Sequence, residues 1–337
     1  MLKIKKILFF LIISLNTISL VKADTPTGNF VYDKHLTGYK YFSKVQKYKL
    51  ISQGLDLEMA YMHLPSNNKK KGTITLLHGK NFTSSYWKDI ALVLNSLGYE
   101  VLIPDQIGFG KSSKPLNYQY TFQSLALNTK KLLASLNIGS TQIIAHSMGG
   151  MLASRFSLMY PDIVSNLILI NPIGLENYLK YVEYKDIDLF YDKELKLKPE
   201  NIIKYQKKNY YDGQWIKKYE LLASHLIGWI NGEDKQLLAK ISAKTYDMIF
   251  TGPVIEEFKN FKVPVSLIIG TRDRTGPGRN WKKEGVDYEL GRYDLLGNRV
   301  KKLNNQISIV ELRGLGHLPH IEDFNTFFKE LNKVLLK

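Results

Sequence analysis

Short apolar segments that alternate with helical patterns constrain the fold of this chain more than any other feature. From Gly72 onward the chain repeats β-branched or leucine-rich runs, namely TITLL, EVLIP, TQIIA, NLILI, VPVSLIIG and ISIVEL, and Phe122 to Leu136 is one of the helical patterns between them. Strands that are apolar on both faces occur in parallel sheets covered by helices on both sides. The sequence therefore predicts an α/β fold with a mostly parallel central sheet, in which ligands bind beyond the carboxyl ends of the strands.

Two segments interrupt this regular alternation. The residues from Leu55 to His63 alternate in polarity and follow the strand-like Val45 to Ser52 and a turn-like Gln53-Gly54, which predicts an antiparallel hairpin. A second stretch, Arg274 to Asn305, is rich in glycine and charge, and we expect it to be irregular.

The interval from Ile173 to Lys262 is far longer than an ordinary crossover between strands. It contains nine of the 21 tyrosines of the chain and helix-like stretches near Asn201 to Tyr211, Trp215 to Ile230 and Glu233 to Phe250. We expect a helical, aromatic cap at 173–262, which divides the core into 24–172 and 263–337. The tyrosines either line this cap or simply pack it onto the core.

The first 23 residues resemble a signal peptide. Three lysines precede an apolar run from Ile7 to Val21, and Ala23 ends a stretch suited to cleavage. The run is shorter than the roughly 20 residues of a spanning helix, which disfavours the alternative of an uncleaved anchor. We expect an exported mature chain, periplasmic or secreted, with no stable membrane span, and the lack of cysteine is compatible with an oxidising compartment.

Basic residues outnumber acidic ones, 47 to 31, for a net charge of +16. The lysines are scattered and no nucleic-acid-binding motif accompanies them, so a solvated surface is the better interpretation. We expect a small-molecule substrate and no nucleic-acid partner.

A serine lies where one predicted strand turns into a helix. TQIIA runs directly into His146-Ser147-Met148-Gly149-Gly150 and then into a helical pattern, an arrangement typical of a nucleophile elbow. Ala145 stands where the first glycine of G-x-S-x-G is usual, and alanine is small enough for the same turn. A serine hydroxyl needs a base, and the base needs an orienting carboxylate.

Candidates for both partners follow later in the chain. Asp273 comes just after VPVSLIIG, and His317 lies in a loop after ISIVELRGLG, so the order Ser, Asp, His is the one expected of hydrolases with an elbow. Asp105 is a rival acid after EVLIP, although a role in organising its loop is favoured. His320 competes with His317, but no H-E-x-x-H motif accompanies this pair, and we expect neither a metal nor a cofactor.

The turn Leu77-His78-Gly79-Lys80-Asn81-Phe82 follows the strand TITLL. A His-Gly turn at this position allows the backbone to approach the serine, so the amides of Lys80 and Met148 are candidate donors to an oxyanion. Asn81 is the alternative source of a donor.

Together, LLHGKNF, PDQIGFGKSS, AHSMGGMLASRF, the strand-end Asp273 and GLGHLPH resemble the α/β-hydrolase superfamily, in the branch with a helical cap. The resemblance covers about residues 40–337. It implies Ser147 as nucleophile, His317 as base, Asp273 as orienting acid, and an oxyanion hole formed by the Lys80 and Met148 amides.

The serine also separates this chain from relatives in that superfamily that use an aspartate nucleophile, such as haloalkane dehalogenases and epoxide hydrolases. A carboxylic-ester hydrolase for a small to medium apolar acyl group is the first expectation. A hydrolase of C–C bonds in meta-cleavage products is the second, and a ligand-binding protein without turnover is an alternative of another class.

Overall fold

The computed structural model describes residues 29–66 and 70–335, so the predicted leader lies outside the described residues. Within them, eight strands form one sheet in the order β1-β2-β4-β3-β5-β6-β7-β8. The pairs β1/β2 and β2/β4 are antiparallel, and the other neighbours are parallel. The strands are β1 Val45–Ser52, β2 Leu55–Leu64, β3 Gly72–Leu77, β4 Tyr99–Pro104, β5 Thr141–His146, β6 Val164–Ile170, β7 Val265–Gly270 and β8 Ser308–Leu312. The predicted hairpin and mostly parallel sheet are confirmed.

Helices flank this sheet and fill the long interval between β6 and β7. Their bounds are α1 Lys88–Ser96, α2 Phe122–Ser135, α3 Met148–Met159, α4 Ile187–Leu195, α5 Pro199–Asn209, α6 Lys217–Asn231, α7 Lys235–Thr251, α8 Tyr293–Leu303, α9 Pro319–Glu322 and α10 Phe324–Leu335. None of the helices in the described residues is long and apolar enough to cross a membrane.

Alternate residues of the central strands enter two separate apolar cores. In β5, Ile143 and Ala145 pack into the core that α2, α3 and α8 cover, whereas Ile144 packs into the core under α1 and α10. Successive side chains of a strand point to opposite faces, so a strand buried on both faces must be apolar throughout. This requirement explains the uninterrupted apolar runs that identify the sheet in the sequence.

The expectation that Arg274 to Asn305 is irregular was wrong, because α8 lies inside it. Tyr293, Leu296 and Val300 form the buried face of α8, which packs on β7 and β8. Gly297 lowers the helix propensity at the centre of this segment. A Cβ at this position would lie 3.0 Å from Ile309 Cγ2, a tight contact. The buried positions recur at helical spacing, so the pattern was present in the sequence and was missed among the glycines and charges around it.

The interval 173–262 contains the helices α4 to α7, and α4 was not predicted. Phe190 is the one fully buried residue of α4, and Ile187, Leu189 and Tyr191 pack partly buried against the core. Within the interval α4 packs on α7, and α5 packs on α6. Residues near the start of the described chain cross α6, where Tyr32 N donates to Gly228 O at 3.0 Å and Trp229 Nε1 donates to Asp33 O at 3.0 Å.

Candidate active site

Ser147 occupies a sharp turn between β5 and α3. Its backbone has φ 56° and ψ −123°, a left-handed conformation that is costly for a residue with a side chain. Gly149 makes the turn possible, because a methyl group there would clash with the carbonyl oxygens of Leu77 and His78. Ala145, in place of the usual glycine, is fully buried at the end of β5. The strain at Ser147 raises its hydroxyl at the carboxyl edge of the sheet.

His317 and Asp273 form a hydrogen-bonded chain with Ser147. His317 Nδ1 donates to Asp273 Oδ2 at 2.7 Å, and His317 Nε2 lies 3.0 Å from Ser147 Oγ. All three residues are buried, and they follow the ends of β5, β7 and β8. Because a carboxylate only accepts hydrogen bonds, the imidazole has its proton on Nδ1 and presents Nε2 to the hydroxyl as an acceptor.

Two further donors fix the carboxylate of Asp273. Asn171 Nδ2 donates to Oδ2 at 2.9 Å, and the amide of Thr275 donates to Oδ1 at 2.8 Å. Burial would raise the pKa of Asp273, but the charge of His317 and the hydrogen bonds from His317, Thr275 and Asn171 lower the pKa below its ordinary value. Sequence reasoning missed Asn171. Its one signal was a polar residue directly after the strand NLILI.

The loop that begins at Gly79 lies against Ser147. A Cβ at Gly79 would stand 3.0 Å from Ser147 Cβ, so a side chain at this position would crowd the serine. Among the described residues, the backbone hydrogen bonds outside helices and strands include none from the Lys80 or Met148 amide. Met148 also begins α3, whose N-terminus carries a partial positive charge. The Asn81 side chain instead donates to Tyr210 Oη at 2.9 Å.

His146 connects the Gly79 loop to His317. Its Nε2 lies 2.8 Å from the carbonyl oxygen of His317, and its Nδ1 lies 3.0 Å from Tyr86 Oη, which accepts from the amide of Gly79 at 3.3 Å. Burial, with smaller effects of His317 and His320, lowers the pKa of His146 well below its ordinary value. A neutral His146 therefore donates from Nε2 and accepts at Nδ1. Sequence reasoning did not single out His146 or Tyr86.

The two rival residues lie outside the hydrogen-bonded chain. Asp105 accepts from Tyr41 Oη at 2.5 Å and from the amides of Ser84 and Lys111 at 2.7 and 2.8 Å, so it organises loops. His320 is buried, and its ring stacks on Trp87 with centroids 5.1 Å apart. In the described part of the chain, no group of three or more His, Cys, Asp or Glu side chains is placed to hold a metal.

A cavity of about 320 Å³ opens at Ser147 beneath α5, α7 and the segment 275–281. Tyr210, directly after α5, stacks on the ring of His317 with centroids 4.9 Å apart and an angle of 23°. Lys80 and Asn81 also border a second, more apolar chamber. Its apolar lining includes Leu197, Ile202, Leu226, Trp229, Ile230, Leu238, Ala239 and Ile241, and the charged Glu194 and Lys235 also border it. Residues of the interval 173–262 therefore form much of the wall around the serine.

The sequence and the fold of this chain are similar to those of known proteins. Residues 72–194 match a family model described as the alpha/beta hydrolase fold. A crystal structure of a probable hydrolytic enzyme from Pseudomonas aeruginosa PAO1 is 39% identical with a TM-score of 0.88, over 91% of this chain and 98% of that one.

Two further matches are more distant. Lipase 1 of Psychrobacter immobilis is 25% identical over 280 residues, which is 79% of this chain and 80% of that protein. A thermophilic esterase from Thermogutta terrifontis is 16% identical with a TM-score of 0.66, over 86% of this chain and 98% of that one, a likeness of fold alone.

Proposed function

This chain belongs to the α/β-hydrolase family, and we propose that it is a serine hydrolase that cleaves carboxylic esters through an acyl-enzyme. The observation that carries the proposal is the hydrogen-bonded chain from Ser147 through His317 to Asp273, at the edge where three parallel strands end. Similarity to hydrolases and a lipase supports hydrolysis, and the proposal adds the nucleophile, the base and the bond that is cleaved.

In the first half-reaction, Ser147 Oγ attacks the ester carbonyl while His317 Nε2 takes the hydroxyl proton across 3.0 Å. Asp273 holds Nδ1–H and stabilises the imidazolium that forms. The carbonyl oxygen becomes an oxyanion, to which the Lys80 and Met148 amides donate. The imidazolium then protonates the departing alkoxide, which leaves an acyl group on Ser147.

The second half-reaction uses the same groups with water as the nucleophile. His317 removes a proton from the water, the hydroxide adds to the acyl carbonyl, and the oxyanion forms again between the two amides. Collapse of this intermediate returns the proton to Ser147 Oγ and releases the carboxylic acid. No step requires a further reactant.

One observation bears on the acyl group and a second bears on the bond. The apolar chamber beside Lys80 and Asn81 suits the hydrocarbon part of an acyl group, since such pockets bind chains by burying apolar surface. The relative from Psychrobacter immobilis, which matches this chain over 80% of its own length, is named a lipase.

The test uses the mature chain with an active-serine phosphonate probe and a panel of p-nitrophenyl esters beside a vinylogous diketone C–C substrate. We expect labelling at Ser147, ester turnover, and a loss of about 10⁴ to 10⁶ in kcat for Ser147→Ala. Ser154→Ala is the matched control, because this buried serine lies on α3 and its hydroxyl has no hydrogen-bond partner. Turnover of the diketone without ester turnover would favour the C–C hydrolase, and Ser147→Ala within tenfold of wild type would refute the nucleophile.

The proposal includes export. The leader at 1–23 lies outside the described residues, and its sequence pattern is the support for an exported, periplasmic or secreted enzyme.

A further inference from the structure

The lining of the cavity at Ser147 has a strongly one-sided charge. Three basic side chains, Lys80, Lys208 and Arg279, border it, and among the described residues no aspartate or glutamate does. An apolar ester alone would not require such a lining, because buried or half-buried charges are costly unless they have a partner. The described lining of the cavity therefore carries basic groups and no acidic ones.

Arg279 differs from the other arginines near this opening. Arg292 pairs with Asp294 at 2.8 Å and with Glu289 at 2.5 Å, and Arg274 lies 3.4 Å from Asp294. Within the described residues the ion pairs include none to Arg279.

The guanidinium of Arg279 is nevertheless held in a fixed orientation. Its Nη1 donates to the carbonyl oxygen of Arg274 at 2.5 Å, and its Nη2 donates to Asn209 Oδ1 at 2.8 Å. These two bonds use two of its five N–H donors and no negative charge. A partly buried guanidinium with free donors and a fixed position is suited to bind a carboxylate or phosphate.

Lys208 and Lys80 differ in their availability to a ligand in the cavity. Lys208 lies on α5, next in sequence to the Asn209 that holds Arg279, is exposed, and in the described chain takes part in no ion pair. Lys80 Nζ donates to Ser242 Oγ at 2.7 Å and also faces the second chamber, which contains Glu194. Arg279 and Lys208 are thus the cations available to a ligand in the cavity.

We propose that the ester substrate carries an anionic group, a carboxylate or a phosphate, that Arg279 and Lys208 bind at the mouth of the Ser147 cavity. This inference rests on the proposed function and specifies its substrate class. The apolar chamber holds the hydrocarbon part, and the basic mouth holds the anion. A neutral ester is then a poorer substrate than an anionic ester of the same length.

The experiment compares anionic esters with their methylated, neutral counterparts. The p-nitrophenyl ester of adipate is paired with that of monomethyl adipate, and the p-nitrophenyl ester of 6-phosphohexanoate is paired with its dimethyl phosphate ester as a second arm. A third arm moves the charge to the leaving group, with the acetate esters of 4-hydroxybenzoate and of methyl 4-hydroxybenzoate. For each pair the ratio of kcat/KM, anionic to neutral, is measured for wild type, Arg279→Gln, Arg279→Lys, Lys208→Gln and Lys282→Gln.

We expect a wild-type ratio of about ten in at least one arm, which falls about three- to tenfold in Arg279→Gln and by less in Lys208→Gln. Arg279→Lys keeps the charge but loses the paired N–H donors of the guanidinium, so it should retain part of the ratio. Lys282→Gln removes the same charge from a residue three positions along the same loop that does not line the cavity, and its ratio should match wild type. The arm with the largest ratio identifies carboxylate or phosphate as the ligand.

A wild-type ratio of one or less in every arm would overturn the inference. An equal loss in Lys282→Gln would also overturn it, since this would indicate the general field of a basic protein. If Arg279→Gln does not fold, the ratio for Lys208→Gln measured against that for Lys282→Gln decides the question. Failure of the proposed function is distinct, because neutral esters would then not be cleaved and Ser147 would not react with the phosphonate.

Discussion

Replacing Asp273 by asparagine tests the charge of the proposed orienting acid. The substitution keeps the shape of the side chain and removes a negative charge that lies 2.7 Å from His317 Nδ1. At this distance and an effective dielectric constant of about 20, the carboxylate stabilises an imidazolium by about 6 kcal/mol. A loss of this size corresponds to about 10⁴ in kcat. KM should change little, since Asp273 is not among the residues that line the cavity.

The hydrogen bonds around Asp273 also predict which way the new amide turns. Its oxygen at the Oδ2 position keeps the donors of His317 and Asn171, and its NH₂ group then opposes only the amide of Thr275. The opposite orientation faces two donors and favours the wrong tautomer of His317. Either orientation leaves the imidazolium without its counter-charge, so the loss in kcat does not depend on the orientation.

The assay measures kcat and KM on the best ester of the panel, with folding checked by circular dichroism. Asp105→Asn is the matched control, because Asp105 is equally buried and accepts three hydrogen bonds away from His317. We expect this control to lose about 1–3 kcal/mol of stability and to keep most of its kcat. A near-normal Asp273→Asn beside an inactive but folded Asp105→Asn would refute our choice of acid.

Three further predictions concern stability, positioning and export. Burial, with the charges of His317 and Lys218, lowers the pKa of His320 to about 3, so below the ordinary pKa of about 6.5 the unfolded chain gains a proton that the folded chain excludes. This costs about 2 kcal/mol of stability at pH 5, and His320→Leu should reduce the difference in free energy of unfolding between pH 7 and pH 5 by that amount in urea titrations. Tyr86→Phe removes the donor to His146 Nδ1 and should lower kcat about tenfold while KM on the same ester stays within about twofold; an unchanged kcat would show that Tyr86 only packs. Mass spectrometry of the native protein should find a mature N-terminus near Asp24, and an intact 1–23 segment would contradict export.

The sequence was sufficient for those parts of the site that depend on local pattern. Ser147 lies in a strand–turn–helix signature, and Asp273 and His317 follow apolar strands, so their placement at one sheet edge follows from the parallel topology. Asn171 and Tyr210 were missed because their roles depend on packing with residues about a hundred positions away in the chain. Nothing local in NLILINP indicates a donor to Asp273, and one tyrosine among nine in the insertion cannot be singled out without the stacking on His317.

The extent of the family match limits what similarity to relatives can say about the substrate. The family model spans residues 72–194, which include Ser147 and the Lys80 loop, and it ends within α4. Lys208 and Arg279 lie beyond that match, on α5 and in the loop after β7, and so do Asp273 and His317. The proposed acyl transfer therefore depends on residues on both sides of residue 194, whereas the two cations proposed to bind an anion lie only in the later part. A substrate search that varies charge at fixed chain length therefore tests whether Lys208 and Arg279 determine which esters are cleaved fastest.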